Sequence, residues 1–177
     1  MKLDGNTSVT AVFDGATNIG YNLLHNINAA ERDRMLSAQF VPQDKNGVQT
    51  SINAYLVRHN GQLSLIDAGM GESGKAKSLG HIVENLAAAG VKPKQINNVI
   101  ITHLHPDHVG GITANGKAVF PNATVYVPQE DADFFLAEPT AQTPERLAQT
   151  QKTPPPPLRP TSRQAENFQK RRKSARH

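Results

Sequence analysis

Asn98-Val99-Ile100-Ile101-Thr102-His103-Leu104-His105-Pro106-Asp107-His108-Val109-Gly110-Gly111 sets an apolar run directly against a cluster of three histidines and one aspartate. The run predicts a strand of the kind buried on both faces in a parallel sheet. The histidine loop then falls at the C-terminal end of that strand, where α/β sheets usually bind their ligands. His103 and His105 alternate at a strand end, project to one side and can grip a single ion together. Asp107 and His108 lie just beyond, where the chain turns, and can face a second ion. Neutral imidazole and carboxylate suit Zn²⁺, with Mn²⁺, Fe²⁺ or Co²⁺ as further choices. Pro106 stiffens the loop, and Gly110-Gly111 lets the backbone pass close by. A solvated loop that happens to be rich in histidine is the bland alternative. Four potential ligands at this spacing, between a buried strand and a Gly-Gly pair, argue against it.

Upstream, Ser51 to Arg58 predicts a strand with Ile52, Ala54 and Leu56 on one face. His59-Asn60-Gly61 turns it into a second strand, Gln62 to Asp67, forming a hairpin. Asp67-Ala68-Gly69-Met70-Gly71 is a glycine-rich exit. Asp67 is the other singled-out residue, because an acid ending an apolar strand often orients a metal-bound histidine through its free ring N–H. A turn cap near Gly69 is the alternative, and the nearby histidine loop favours the orienting role. Ala76 to Ala89 predicts a helix stopped by Gly90. Ser8 to Phe13 predicts a first strand ended by Asp14-Gly15, and Ala29 to Ala38 has helical potential. Downstream, Val109 to Thr113 has helical character, Ala118 to Phe120 and Thr124 to Val127 predict short strands, and Pro128 to Ala137 predicts a helix with acids in its first turn. His25, His59 and His81 lack a ligand-like setting.

The chain has 177 residues, enough for one domain with a real core. Without cysteine, disulfides, thiolate metal sites and cysteine nucleophiles are all excluded. No run approaches a membrane span, and no signal peptide is seen, so the expected compartment is the cytoplasm, or the periplasm for a processed protein. The net charge of +4 hides an asymmetry: residues 1–150 hold 11 Lys/Arg against 14 Asp/Glu, whereas residues 151–177 hold 8 against 1. The basic character therefore belongs to the tail. Two regions are expected: a domain over 1–138, and a Pro-rich, basic, disordered tail over 139–177.

The motif Leu65-Ile66-Asp67-Ala68-Gly69, followed by a helix and by Thr102 to Gly111, resembles the metallo-β-lactamase superfamily. More narrowly it is similar to the branch of methyl parathion hydrolase and quorum-quenching lactonases. Thr50 to Val57, Phe120-Pro121-Asn122-Ala123 and Ala132-Asp133-Phe134-Phe135 carry the narrower likeness. The resemblance covers about Val9 to Ala137. It implies an α/β fold, the N-terminal half of an αββα sandwich with a two-metal zinc centre. One ion would be held by His103, His105 and a later histidine, the other by Asp107, His108 and a later histidine, with a later aspartate bridging. A metal-activated hydroxide would attack a lactone, ester or phosphotriester.

After His108 the only histidine is His177, and no later Gly-His or bridging aspartate follows in family-like context. The chain is therefore expected to carry an incomplete, truncated fold, and a non-catalytic remnant is the alternative function. An uncovered apolar face would invite aggregation or a homodimer. The expected partner is a small-molecule ester, lactone or phosphotriester, with no membrane. Nucleic acid binding through Lys170-Arg171-Arg172-Lys173 is the weaker reading, since the cluster is short and has no interleaved aromatics.

Overall fold

Asn60 and Gly61 adopt left-handed φ values of 47° and 79°, the conformation that a two-residue hairpin turn demands. Around them β3 (Gly47–His59) pairs antiparallel with β4 (Gln62–Ile66), His59 opposite Gln62 and Leu56 opposite Leu65. The hairpin belongs to a computed structural model that describes residues 1–3 and 5–135. The expected tail, 139–177, lies outside the described residues.

β1 (Thr7–Ile19) adds to one side of the hairpin, antiparallel to β3. On the other side β5 (Asn98–Ile100) runs parallel to β4, and β8 (Thr124–Tyr126) runs parallel to β5. The sheet order is β1-β3-β4-β5-β8, with β2 (Gln43–Asp44) paired to β3. This mixed α/β architecture is the predicted fold class. α1 (Ala29–Ala38) forms over the expected residues, with the Asn28 side chain capping the Glu31 amide at 2.9 Å.

The sheet has two unlike faces. Leu56, Leu65 and Val99 sit side by side in register and are fully buried with Ile82 and Leu86 of α2 (Ile82–Ala88) in one core cluster. The next row in register, Ala11, Tyr55, Ile66, Ile100 and Tyr126, belongs to the opposite face. Tyr55, Ile100 and Tyr126 there are exposed among the described residues. The strand predicted to be buried on both faces is thus buried on one: Val99 and Ile101 are covered, whereas Ile100 is 41% exposed.

Three further expectations need correcting. β1 does not stop at Asp14-Gly15 but continues through a bulge between Phe13 and Gly15, with Gly15 at φ 146°. The bulge turns the Asp14 side chain inward, where it is fully buried. Its carboxylate accepts from the amides of Met70 (3.0 Å), Gly80 (3.0 Å) and Ile82 (3.3 Å). Those bonds explain the second correction. The helix predicted from Ala76 begins only at Ile82, after a 3₁₀ segment over Gly71–Lys77 and a left-handed Ser78 (φ 58°). The chain gives up helical bonds there to satisfy a buried charge. Thirdly, the strand predicted over Ala118 to Phe120 shrinks to β7 (Lys117–Ala118), hairpinned to β6 (Thr113–Ala114), and Phe120 turns into the core.

Asp14→Ala would orphan three amides around one buried point. It should lower the unfolding free energy by about 3 kcal/mol in urea titration. A loss under about 0.5 kcal/mol, the scale of an ordinary surface change, would show that the carboxylate is dispensable.

Candidate metal centre

β4 and β5 end side by side, and the two segments that leave them are laced together. Asp67 N–H donates to Ile100 O (2.9 Å), Ala68 N–H to His108 O (2.8 Å) and Gly111 N–H to Gly69 O (2.9 Å). The lacing tolerates no side chain at Gly111, where an added Cβ would stand 2.0 Å from Ala68 O. Pro106 opens a single helical turn, α3 (Pro106–Val109), followed by a 3₁₀ turn over Gly110–Ile112. This is the helical character expected after His108, begun three residues earlier.

Asp67 is buried and left-handed at φ 60°, a conformation uncommon for residues other than glycine, though aspartate and asparagine adopt it more readily than most. Its carboxylate accepts from the Thr102 amide at 2.8 Å and from the Thr102 hydroxyl at 2.9 and 3.0 Å. It also meets His108 Nδ1 at 2.8 Å. A proton on that Nδ1 leaves His108 Nε2 as the lone-pair atom. The Thr102 hydroxyl, having spent its proton on Asp67, can accept from His103 Nδ1 at 3.1 Å. His103 Nε2 is then the lone-pair atom as well. In that protonation pattern one carboxylate sets the tautomers of two rings.

The four loop donors fall into two pairs. His103 Nε2 and His105 Nδ1 are 3.1 Å apart, and His108 Nε2 and Asp107 Oδ2 are 3.3 Å apart. Two ligand atoms at zinc distances of about 2.0–2.1 Å in tetrahedral geometry stand about 3.4 Å from one another. Both pairs are therefore spaced as adjacent ligands of one ion would be. The pairs are neighbours, since the His103 and His108 ring centroids are 3.8 Å apart. No group of three or more His, Asp or Glu arranged to hold an ion occurs among the described residues, so the donors stand as two pairs and not a triad.

Two residues behind the loop have no site role legible in the sequence. Asp131 accepts from the Leu104 amide at 2.6 Å, and Phe135 meets the His105 ring edge-on at 5.9 Å. Both belong to α4 (Gln129–Phe135), inside the helix predicted over Pro128 to Ala137. Their one-turn spacing was the available signal. The other described histidines stay apart: His25 is exposed, His59 pairs with Thr7 and Asn60, and His81 with Glu84.

Crowding has an electrostatic cost. Partial burial, and then the adjacent His108 and His105, hold the His103 imidazole below its ordinary range; Asp107 and Asp67 pull the other way without reversing it.

Fold and donor set together define a class: an α/β protein with a histidine- and carboxylate-bearing loop at the C-terminal end of a parallel strand. Residues 47–171 match the metallo-beta-lactamase superfamily, and the chain belongs to that superfamily. It is similar to hydroxyacylglutathione hydrolase of Aeromonas salmonicida (strain A449), 35% identical over 77 residues, which are 44% of this chain and 26% of the relative. Among solved structures it resembles the hydrolase AbOPH of the beta lactamase superfamily, with TM-score 0.77, 41% identity, and 85% of this chain and 52% of that one covered. It also resembles AidC, a dizinc quorum-quenching lactonase in complex with its product N-hexnoyl-L-homoserine. There the TM-score is 0.69 and the identity 27%, over 86% of this chain and 56% of that one. The chain spans about half the length of these two structures and 26% of the curated relative.

A histidine depressed in the folded state binds its proton more readily when unfolded. The stability it contributes is fully present above the unfolded value of 6.5 and is lost as pH falls through the lower folded value. In metal-free protein the denaturation midpoint should therefore drop on acidification below about pH 6.5, and His103→Gln should flatten that drop. A wild-type midpoint that rises over the same interval would contradict it.

Proposed function

We propose that the chain carries the metal-binding part of a hydrolase that opens a lactone, with esters and phosphotriesters as the related substrate chemistries. The observation that carries the proposal is the placement of two donor pairs, His103 with His105 and Asp107 with His108, side by side beyond the C-terminal end of β5. Imidazole and carboxylate fit Zn²⁺ in donor type, and both spacings fit adjacent ligands of one ion. Divalent ions held there would supply Lewis acidity and a nucleophile available at neutral pH. The protein's own share is orientation: Asp67 fixes His108 directly and His103 through Thr102, so that both present Nε2. The likeness to a dizinc lactonase over 86% of this chain favours the lactone within the broader class.

A non-catalytic remnant is the second reading, and one observation favours it. The loop supplies two donors to each ion, whereas a catalytic zinc is generally held by three protein ligands. No described helix is long and apolar enough to cross a membrane.

Purified protein dialysed against Zn²⁺ should retain metal measurable by elemental analysis, and His103→Ala/His105→Ala should retain less. A panel of acyl-homoserine lactones, aryl esters and phosphotriesters then separates the readings. Turnover that tracks metal content supports the hydrolase, and metal without turnover supports the remnant. Protein that ignores Zn²⁺, with the double variant indistinguishable from wild type, overturns both.

Asp67→Asn keeps a residue that tolerates the left-handed backbone but removes the charge facing His108. Zn²⁺ affinity in a chelator competition should fall by roughly 10- to 100-fold. An unchanged affinity would reduce Asp67 to a turn residue.

A further inference from the structure

We infer that Asp131 on α4 is a positioning residue for the His103/His105 pair, holding the peptide between them; the inference rests on the metal-binding reading above. β5 ends at Ile100, and the backbone beyond it leaves the sheet one amide at a time. Ile101 N–H still donates to Tyr126 O (2.9 Å). The Thr102 amide turns to the Asp67 carboxylate, and the Leu104 amide to the Asp131 carboxylate at 2.6 Å. Two acids, one from the end of β4 and one from a helix that begins more than twenty residues after the loop, thus grip the segment that carries the histidines.

Leu104 is the central residue of His103-Leu104-His105, so rotation of its peptide swings the two imidazoles relative to each other. Three contacts oppose that rotation. The Leu104 side chain is buried (2% exposed), its amide is held by a charged acceptor, and the His105 ring rests edge-on against Phe135. Asp131 and Phe135 are one helical turn apart on α4, and Ala132 beside them is buried at 3% exposure. A single helix face therefore supplies both the acceptor for the backbone and the wall for the ring. The bond to an ionised acceptor is short and directional, as charge-assisted bonds are. A ligand pair spaced 3.1 Å apart needs that fixity, because metal affinity is lost when its ligands are free to turn.

The test compares Asp131→Ala and Asp131→Asn with Asp133→Ala, an exposed neighbour whose carboxylate, among the described residues, bonds along the helix to Gln129 at 2.8 Å. Zn²⁺ affinity is read by chelator competition, the metal-free melting temperature alongside it, and the Leu104 amide by ¹H–¹⁵N NMR. Asp131→Ala should weaken Zn²⁺ binding by about tenfold or more, the scale of other outer partners of metal ligands. Asp131→Asn keeps an acceptor oxygen and should stay within about threefold of wild type. Asp133→Ala should not change it. The Leu104 amide proton should lie downfield in metal-free wild type and move upfield in Asp131→Ala. If wild type binds Zn²⁺ and Asp131→Ala binds it equally well, the positioning role is overturned. So it is if all three variants lose affinity in step with melting temperature. A Leu104 resonance indifferent to residue 131 overturns it without reference to metal. Wild type that binds no Zn²⁺ overturns the metal reading itself.

Discussion

The site depends on one buried carboxylate in an uncomfortable place. Asp67 sits at φ 60° where β4 ends, so its side chain reaches sideways across the end of β5. There it captures the Thr102 amide that the ladder no longer serves, and with the Thr102 hydroxyl and His108 Nδ1 each of its oxygens has a partner. An aspartate held left-handed costs on the order of 1 kcal/mol or more. Several charge-assisted hydrogen bonds, each of about 1.5–3 kcal/mol, offset it. Replacing the bonds by water would leave only the backbone bonds of Asp67 to Ile100 and of Ala68 to His108 to hold that conformation. The strain and the bonds are therefore one device: the strained backbone aims the carboxylate, and the bonds maintain the strain.

A second carboxylate works one layer further back. Asp14 lies on β1, and its three amide partners come from the exit of β4, from Gly80 and from the start of α2. Gly69 passes so close that an added Cβ would meet the Asp14 carboxylate at 2.2 Å. Fixing the Gly69–Met70 backbone from behind also fixes the carbonyl to which Gly111 donates. Asp14 and Asp67 thus secure the same loop from opposite sides, one toward the core and one toward the histidines.

How much of this the sequence discloses follows from how local each determinant is. The hairpin at Asn60-Gly61, the histidine loop and its place after β5 rest on short patterns whose chemistry is carried by adjacent residues. Asp67 could be singled out because it ends an apolar run. Asp14 could not, since its bonds span 56 to 68 residues of sequence and an Asp-Gly pair ordinarily signals a turn. The helix expected from Ala76 starts late, at Ile82, for the same reason: a distant carboxylate overrides the local propensity of the residues before it. Ile100 misleads in another way, because an unbroken apolar run does not say which face of the sheet is covered. Asp131 looked like an acid suited to a helix N-terminus, and nothing nearby in sequence discloses that its partner is the Leu104 amide.

The two donor pairs acquire their character from what surrounds them more than from their own chemistry. Partial burial first, and then the repulsion that His108 and His105 would exert if protonated, holds His103 toward its neutral form. Neutral rings are the form that a divalent cation takes, so under the proposed metal-binding function the crowding that disfavours protons would favour a metal in the same space. Asp67, Thr102 and Asp131 add direction to that preference without contributing a ligand atom to either pair. Removing the supporting acids while leaving all four donors in place would keep the motif intact as a string of letters. It would nevertheless release the rings to turn independently, and an ion would then have to bear the cost of ordering them on binding.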